Sequence, residues 1–140
     1  MQNIYYINCE QLNSLFSRLK KAYRVFSPVI KEESAKEIDY YYQCLPEGEP
    51  LIYNAYRGVE PLKSFFTYPY EKITDYFIPE KNVTEVTEKT MVFGVKSCDI
   101  AGHKVQDFVF LEGVEVDSLY RLRRENTIFI ASDCTDFKEV

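Results

Sequence analysis

Two cysteines stand out because each ends an apolar run and sits beside an aspartate. The first run reads Met91-Val92-Phe93-Gly94-Val95, followed by Lys96-Ser97-Cys98-Asp99. The second reads Thr127-Ile128-Phe129-Ile130-Ala131, followed by Ser132-Asp133-Cys134. A cysteine thiolate is a good ligand for iron and other soft metals. If both runs are parallel strands of one sheet, Cys98 and Cys134 share the carboxyl rim, where α/β sheets place their chemistry. Neighbouring strands lie about 4.8 Å apart, so the two sulfurs could face one pocket. Cys98 also precedes a helical pattern, and exposed amides at a helix N-terminus favour the thiolate form. Asp99 and Asp133 flank the thiols as minority oxygen ligands or as helix and turn caps. Inert packing is the competing reading, since free cysteine is often simply buried. Two thiols cannot close a four-coordinate site, so other ligands must come from elsewhere.

The remaining candidates are weaker. His103 is the single histidine. It follows Asp99 by four residues, which makes a surface pair on one helix face the expected arrangement. A nucleophilic role for Cys98 would need His103 as its base, one helical turn away, and the spacing disfavours direct contact. Cys9 and Cys44 have no partner pattern and read as core or half-buried residues. No CxxC, P-loop, G-x-G-x-x-G or G-x-S-x-G occurs, so self-contained metal ribbons, nucleotide sites and nucleophile elbows have no support.

The elements that must position Cys98 and Cys134 follow from local patterning. Val92 to Val95 is a short apolar run of the kind buried on both sheet faces. Asp99 is the expected N-cap of a helix in which Ile100, Lys104, Val105, Phe108 and Val109 lead to Leu111, with Gly113 ending it. Asp117 or Ser118 caps a second short helix through Arg124, and Asn126 turns into the strand 127–132. A strand–helix–helix–strand order implies parallel strands. Upstream, Ile4 to Ile7 suits a short opening strand, and Asn8 caps a helix from about Glu10 to Tyr23. Arg24 to Ile30 is β-rich, although Pro28 points to an edge or bulge. Ile38 to Leu45, with its three consecutive tyrosines, reads as the return of a hairpin. Further elements are a third strand at Leu51 to Tyr56, a short helix around Ile73 to Phe77 and a weak strand at Val83 to Val86. The fold class is therefore α/β in a mixed sheet: an antiparallel hairpin unit with one helix, then a strand–helix–helix–strand unit.

The composition excludes several classes. The chain has 140 residues and a net charge of -5, which suits one domain and argues against nucleic acid. No apolar run approaches ~18 residues, so membrane insertion is not expected. Nothing resembling a signal peptide opens the chain, and four cysteines without an export signal suit a reduced, cytoplasmic setting. Twelve tyrosines and ten phenylalanines fit an aromatic core better than an aromatic binding face.

The segment Phe93-Gly94-Val95-Lys96-Ser97-Cys98-Asp99-Ile100 resembles the G-V-[RK]-x-C-D-[LI] motif of 4Fe-4S dicluster electron-transfer subunits. That family includes cytoplasmic sulfhydrogenase beta subunits and the A subunit of anaerobic sulfite reductase. The similarity runs on through Asp107-Phe108-Val109-Phe110-Leu111 and Asp117 to Thr127, and ends at Asp133-Cys134-Thr135. Upstream, Pro61 to Phe66 and Pro69-Tyr70-Glu71 are similar to the family's Pro-Lys-rich segment and P-x-E step. Ser97 stands where many relatives have proline. The resemblance implies that Cys98 and Cys134 bind iron of a [4Fe-4S] cluster completed by downstream cysteines. It further implies a ferredoxin-like half after this region, a flavin-containing partner and a catalytic oxidoreductase subunit. On this reading residues 1–140 are the N-terminal part of a longer iron–sulfur protein, not catalytic alone, with no cluster held by the 140 residues themselves. A docking module without a redox centre, using the aromatics and Arg121 to Arg124 as its contact face, is the alternative.

Overall fold

The computed structural model describes residues 4–33, 38–46, 48–49, 51–52, 58–70 and 88–133. A four-stranded sheet in the order β2-β1-β3-β4 organises them. Strand β1 (Arg24–Glu33) pairs antiparallel with β2 (Ile38–Cys44), the hairpin expected from the sequence. Its opening residues Arg24, Val25 and Phe26 also pair parallel with Thr90, Met91 and Val92 of β3 (Thr90–Val95). Strand β4 (Thr127–Ala131) lies parallel on the far side of β3. One mixed sheet thus joins the hairpin unit to the crossover unit.

Each sheet face has its own helical cover. Helix α1 (Cys9–Leu19) starts at a capping box, in which Asn8 Oδ1 accepts from the Gln11 amide at 2.8 Å. Its Phe16 packs with Val25, Met91, Phe93, Leu45 and Leu51 on one face. The Phe16 and Phe93 rings meet edge to face at 5.0 Å, a geometry worth about 0.5–1.5 kcal/mol beyond burial. The other face carries Tyr42, Val92 and Val95, packed with Phe129, with Ile100 of helix α2 (Ser97–Leu111) and with a 3-10 turn, Leu62–Phe65. Met91 to Val95 are all buried, as a strand covered on both faces requires.

Pro28 shows how β1 accommodates a residue without an amide proton. It lies beyond the parallel ladder to β3, still opposite Tyr42 in the antiparallel one. Its ring packs towards Gly94, where an added Cβ would stand 3.1 Å from Pro28 Cγ. Gly94 adopts φ +79° at the register shift between β3 and β4. Only glycine suits both demands, so the pair marks where β1 leaves β3.

Several sequence expectations are corrected. Ile4 to Ile7 is not a strand, and Tyr5 and Tyr6 are more than four-fifths exposed. Helix α1 begins at Cys9 and ends at Leu19, short of Tyr23. Leu51 and Ile52 are not in a strand; the rest of that expected strand, and those around Ile73 to Phe77 and Val83 to Val86, lie outside the described residues. Gly113 stands just past the C-cap Glu112, at the end of α2 where the sequence places it. It is small because a Cβ there would come within 2.9 Å of the Val109 carbonyl.

Candidate functional site at the carboxyl rim

The parallel pairing of β3 and β4 brings the two chain segments of interest to one rim. The Ser132 amide donates to the Val95 carbonyl at 2.9 Å, one step beyond the ladder. Lys96 then turns inward. It is 2% exposed, and its Nζ donates to Ser132 Oγ and to the Asp133 carbonyl, both at 2.9 Å. A buried ammonium needs such partners, because its desolvation is otherwise costly. The side chain therefore fastens the end of β3 to the end of β4.

Helix α2 starts immediately after this clasp. Lys96 is its N-cap, with no side-chain capping hydrogen bond, and the Asp99 and Ile100 amides donate to the Lys96 carbonyl. Asp99 is therefore a first-turn residue and not the cap expected from the sequence. That position still suits its charge, since the helix dipole favours anions there. Cys98 is the second residue of the helix and is exposed as a free thiol. Cys134 lies outside the described residues; Asp133, which precedes it, is the residue that Lys96 holds.

The other thiols lie elsewhere in the fold. Cys44 ends β2 opposite Phe26, near the amino ends of the parallel strands. Cys9 opens α1. Both are exposed rather than core residues. Among the described residues no group of three or more His, Cys, Asp or Glu side chains could hold a metal ion. The donor chemistry of the rim fits an iron–sulfur ligand in one respect: an exposed thiol in the uncapped first turn of a helix. A cleft of about 230 Å³ lined by Arg24, Phe26, Tyr42, Phe65 and Thr90 lies among the strand beginnings and contains no thiol.

His103 is not the surface partner of Asp99. It is 4% exposed and sits in van der Waals reach of Phe66, with the Tyr120 and Phe129 rings around it. Its Nδ1 meets Gln106 Oε1 at 3.1 Å, and Asp107 Oδ1 lies 3.6 Å from Nε2. Burial lowers its pKa from 6.5, against the opposing pull of the Asp107 carboxylate and the Gln106 bond. Tyr120, on helix α3 (Ser118–Glu125), donates to Asp107 Oδ1 at 2.8 Å, and the Arg124 Nε completes the carboxylate's partners at 3.1 and 3.2 Å. Burial and that carboxylate raise the Tyr120 pKa above its ordinary value. This network joins α2 to α3 and is turned away from the exposed Cys98 face.

The basic cluster is largely internal as well. Arg123 is 5% exposed; it donates to the Phe66 carbonyl at 2.9 Å and lies over the Tyr68 ring. With Arg124 on Asp107, Arg121 is the exposed member of the three. The contact face expected at Arg121 to Arg124 is thereby reduced to one outward cation. The sequence does not mark Lys96 as a buried clasp, because its partners Ser132 and Asp133 lie 36 and 37 residues further on.

Comparison with known proteins points one way. The chain is 32% identical over 130 residues to sulfhydrogenase 2 subunit beta of Pyrococcus furiosus. The match covers 91% of this chain and 36% of that relative, so the chain spans little more than a third of its length. No family model matches, and no solved structure matches. Among the described residues no helix is long and apolar enough to cross a membrane.

Proposed function

Because the chain is related to the sulfhydrogenase beta-subunit family, we propose that it is the N-terminal part of an iron–sulfur electron-transfer subunit. The observation that carries this reading is the rim itself: an exposed Cys98 thiol beside the clasp that holds Asp133, the residue before Cys134. In this reading Cys98 and Cys134 each contribute a thiolate to iron of a [4Fe-4S] cluster, and cysteines from other polypeptide complete the set. Such a cluster supplies one-electron transfer. The chain's own residues place the ligands. Lys96 fixes the spacing of the two strand ends, the first turn of α2 presents the exposed Cys98 thiol, and Asp99 is a minority oxygen donor or a dipole partner.

The larger setting follows from the same resemblance. The subunit would work in a cytoplasmic oxidoreductase of hydrogenase or sulfite-reductase type, passing electrons between a flavin-containing subunit and a catalytic one. The test is iron content. The protein is purified anaerobically with the polypeptides that accompany it in its own cells, as wild type, Cys98→Ser and Cys134→Ser. Each variant should lose one cluster's share of iron and the matching visible absorption. Iron unchanged in both would sink the assignment.

A further inference from the structure

The outer face of α2 is apolar along nearly its whole length. At 3.6 residues per turn, Cys98, Ala101, Gly102, Val105, Phe108 and Val109 form one stripe. All six are exposed, Val105 by 64%, Phe108 by 63% and Val109 by 56%. The opposite side already holds Ile100 and His103 against the sheet and Phe110 stacked on Tyr120. A helix apolar on both sides is one that is buried on both sides. Scattered exposed apolar residues are ordinary, whereas a continuous stripe marks a contact surface.

Cys98 heads this stripe. A thiolate that ligates cluster iron needs further thiolates, and the described residues bring no metal-holding group to it. A Cβ on Gly102 would meet nothing within 4 Å, so another backbone can approach closely next to the thiol. Only 36% of the relative's length is matched, so nearly two thirds of a polypeptide of that length lies outside the match. We propose that the α2 outer face seats the remainder of a beta-subunit-length iron–sulfur polypeptide. That surface is apolar opposite Val105, Phe108 and Val109, and it carries the cysteines that complete the site at Cys98. The seam would exclude water beside the cluster, and a hydrophobic surround controls its potential. This inference rests on the iron–sulfur reading above but predicts a contact that reading does not require.

The test compares the anaerobically purified native assembly with the isolated 140-residue chain by carbene labelling. The peptide containing Val105 to Val109 should take up about tenfold less label in the assembly. Phe108→Glu should weaken the assembly by about tenfold or more, as loss of an aromatic anchor does, while the isolated variant melts like wild type. Cys98→Ser should keep the peptide protected while iron falls. Protection with iron unchanged in Cys98→Ser would overturn the ligand role and leave the contact standing. Equal labelling in both forms would overturn the contact, as would a chain found alone in its own cells. Isolated-chain dimers that Phe108→Glu dissolves would make a second copy the occupant, and so also overturn it.

Discussion

Lys96 Nζ, on a side chain that is itself buried, stands 2.9 Å from Ser132 Oγ, with the Asp133 carbonyl as the second acceptor. Two strand ends that share no covalent link for 36 residues are thereby held at fixed spacing. Lys96→Met keeps the apolar stem and removes the ammonium, leaving both acceptors to find other partners. The expected cost is about 1–3 kcal/mol, measured by urea denaturation. Hydrogen exchange at Ser132 and Asp133 should speed up more than exchange in β1.

Gly94 combines φ +79° with a neighbour at 3.1 Å. Gly94→Ala should therefore destabilise the fold by about 1–3 kcal/mol, through backbone strain and displacement of the Pro28 ring. Gly102→Ala is the control: the space above it is open and it lies within α2. Thermal unfolding should show that substitution neutral or stabilising, by up to about 1 kcal/mol.

Asp107 receives both Tyr120 and Arg124. Tyr120→Phe should cost about 1.5–3 kcal/mol, the usual range for a bond to a charged group. Combined with Asp107→Ala the two losses should not add, because each change removes the same Tyr120–Asp107 contact. A double-mutant cycle in chemical denaturation checks this; strict additivity would mean the bond contributes nothing.

The buried His103 gives the stability a pH dependence. Its folded pKa lies below 6.5, so the unfolded chain takes up the proton more readily. Stability from this residue is complete above pH 6.5 and declines as pH falls from there towards the lowered folded value. His103→Gln should flatten that part of the profile. Denaturation midpoints between pH 7.5 and 5 provide the measurement, and an unchanged slope in the variant would contradict it.

The parallel β3–β4 pair, the hairpin and the three helices were legible because each has a local signature. Asn8 and Asp117 are side-chain caps of the expected kind, and Val92 to Val95 had no polar side to expose. The rotation of α2 was not legible. Ile100, Val105, Phe108 and Val109 all fit a helical pattern, and no local rule tells which apolar side meets the sheet. The structure chose the side with Ile100 and His103 and left the other three outward. For the same reason the histidine was misplaced: a ring held by Gln106 and packed on Phe66 depends on contacts distant in sequence. Lys96 was passed over because a lysine in a loop is ordinarily solvated, and its burial depends on the end of a strand 36 residues later.

The clasp also has a consequence for assembly kinetics. Lys96, the N-cap of α2, holds the carbonyl of Asp133, the residue before Cys134. A thiol on a short tether of that kind meets Cys98 at an effective concentration on the order of millimolar. On the proposed iron–sulfur reading, its encounter with iron held at Cys98 would be unimolecular, and its rate should not change when the protein is diluted.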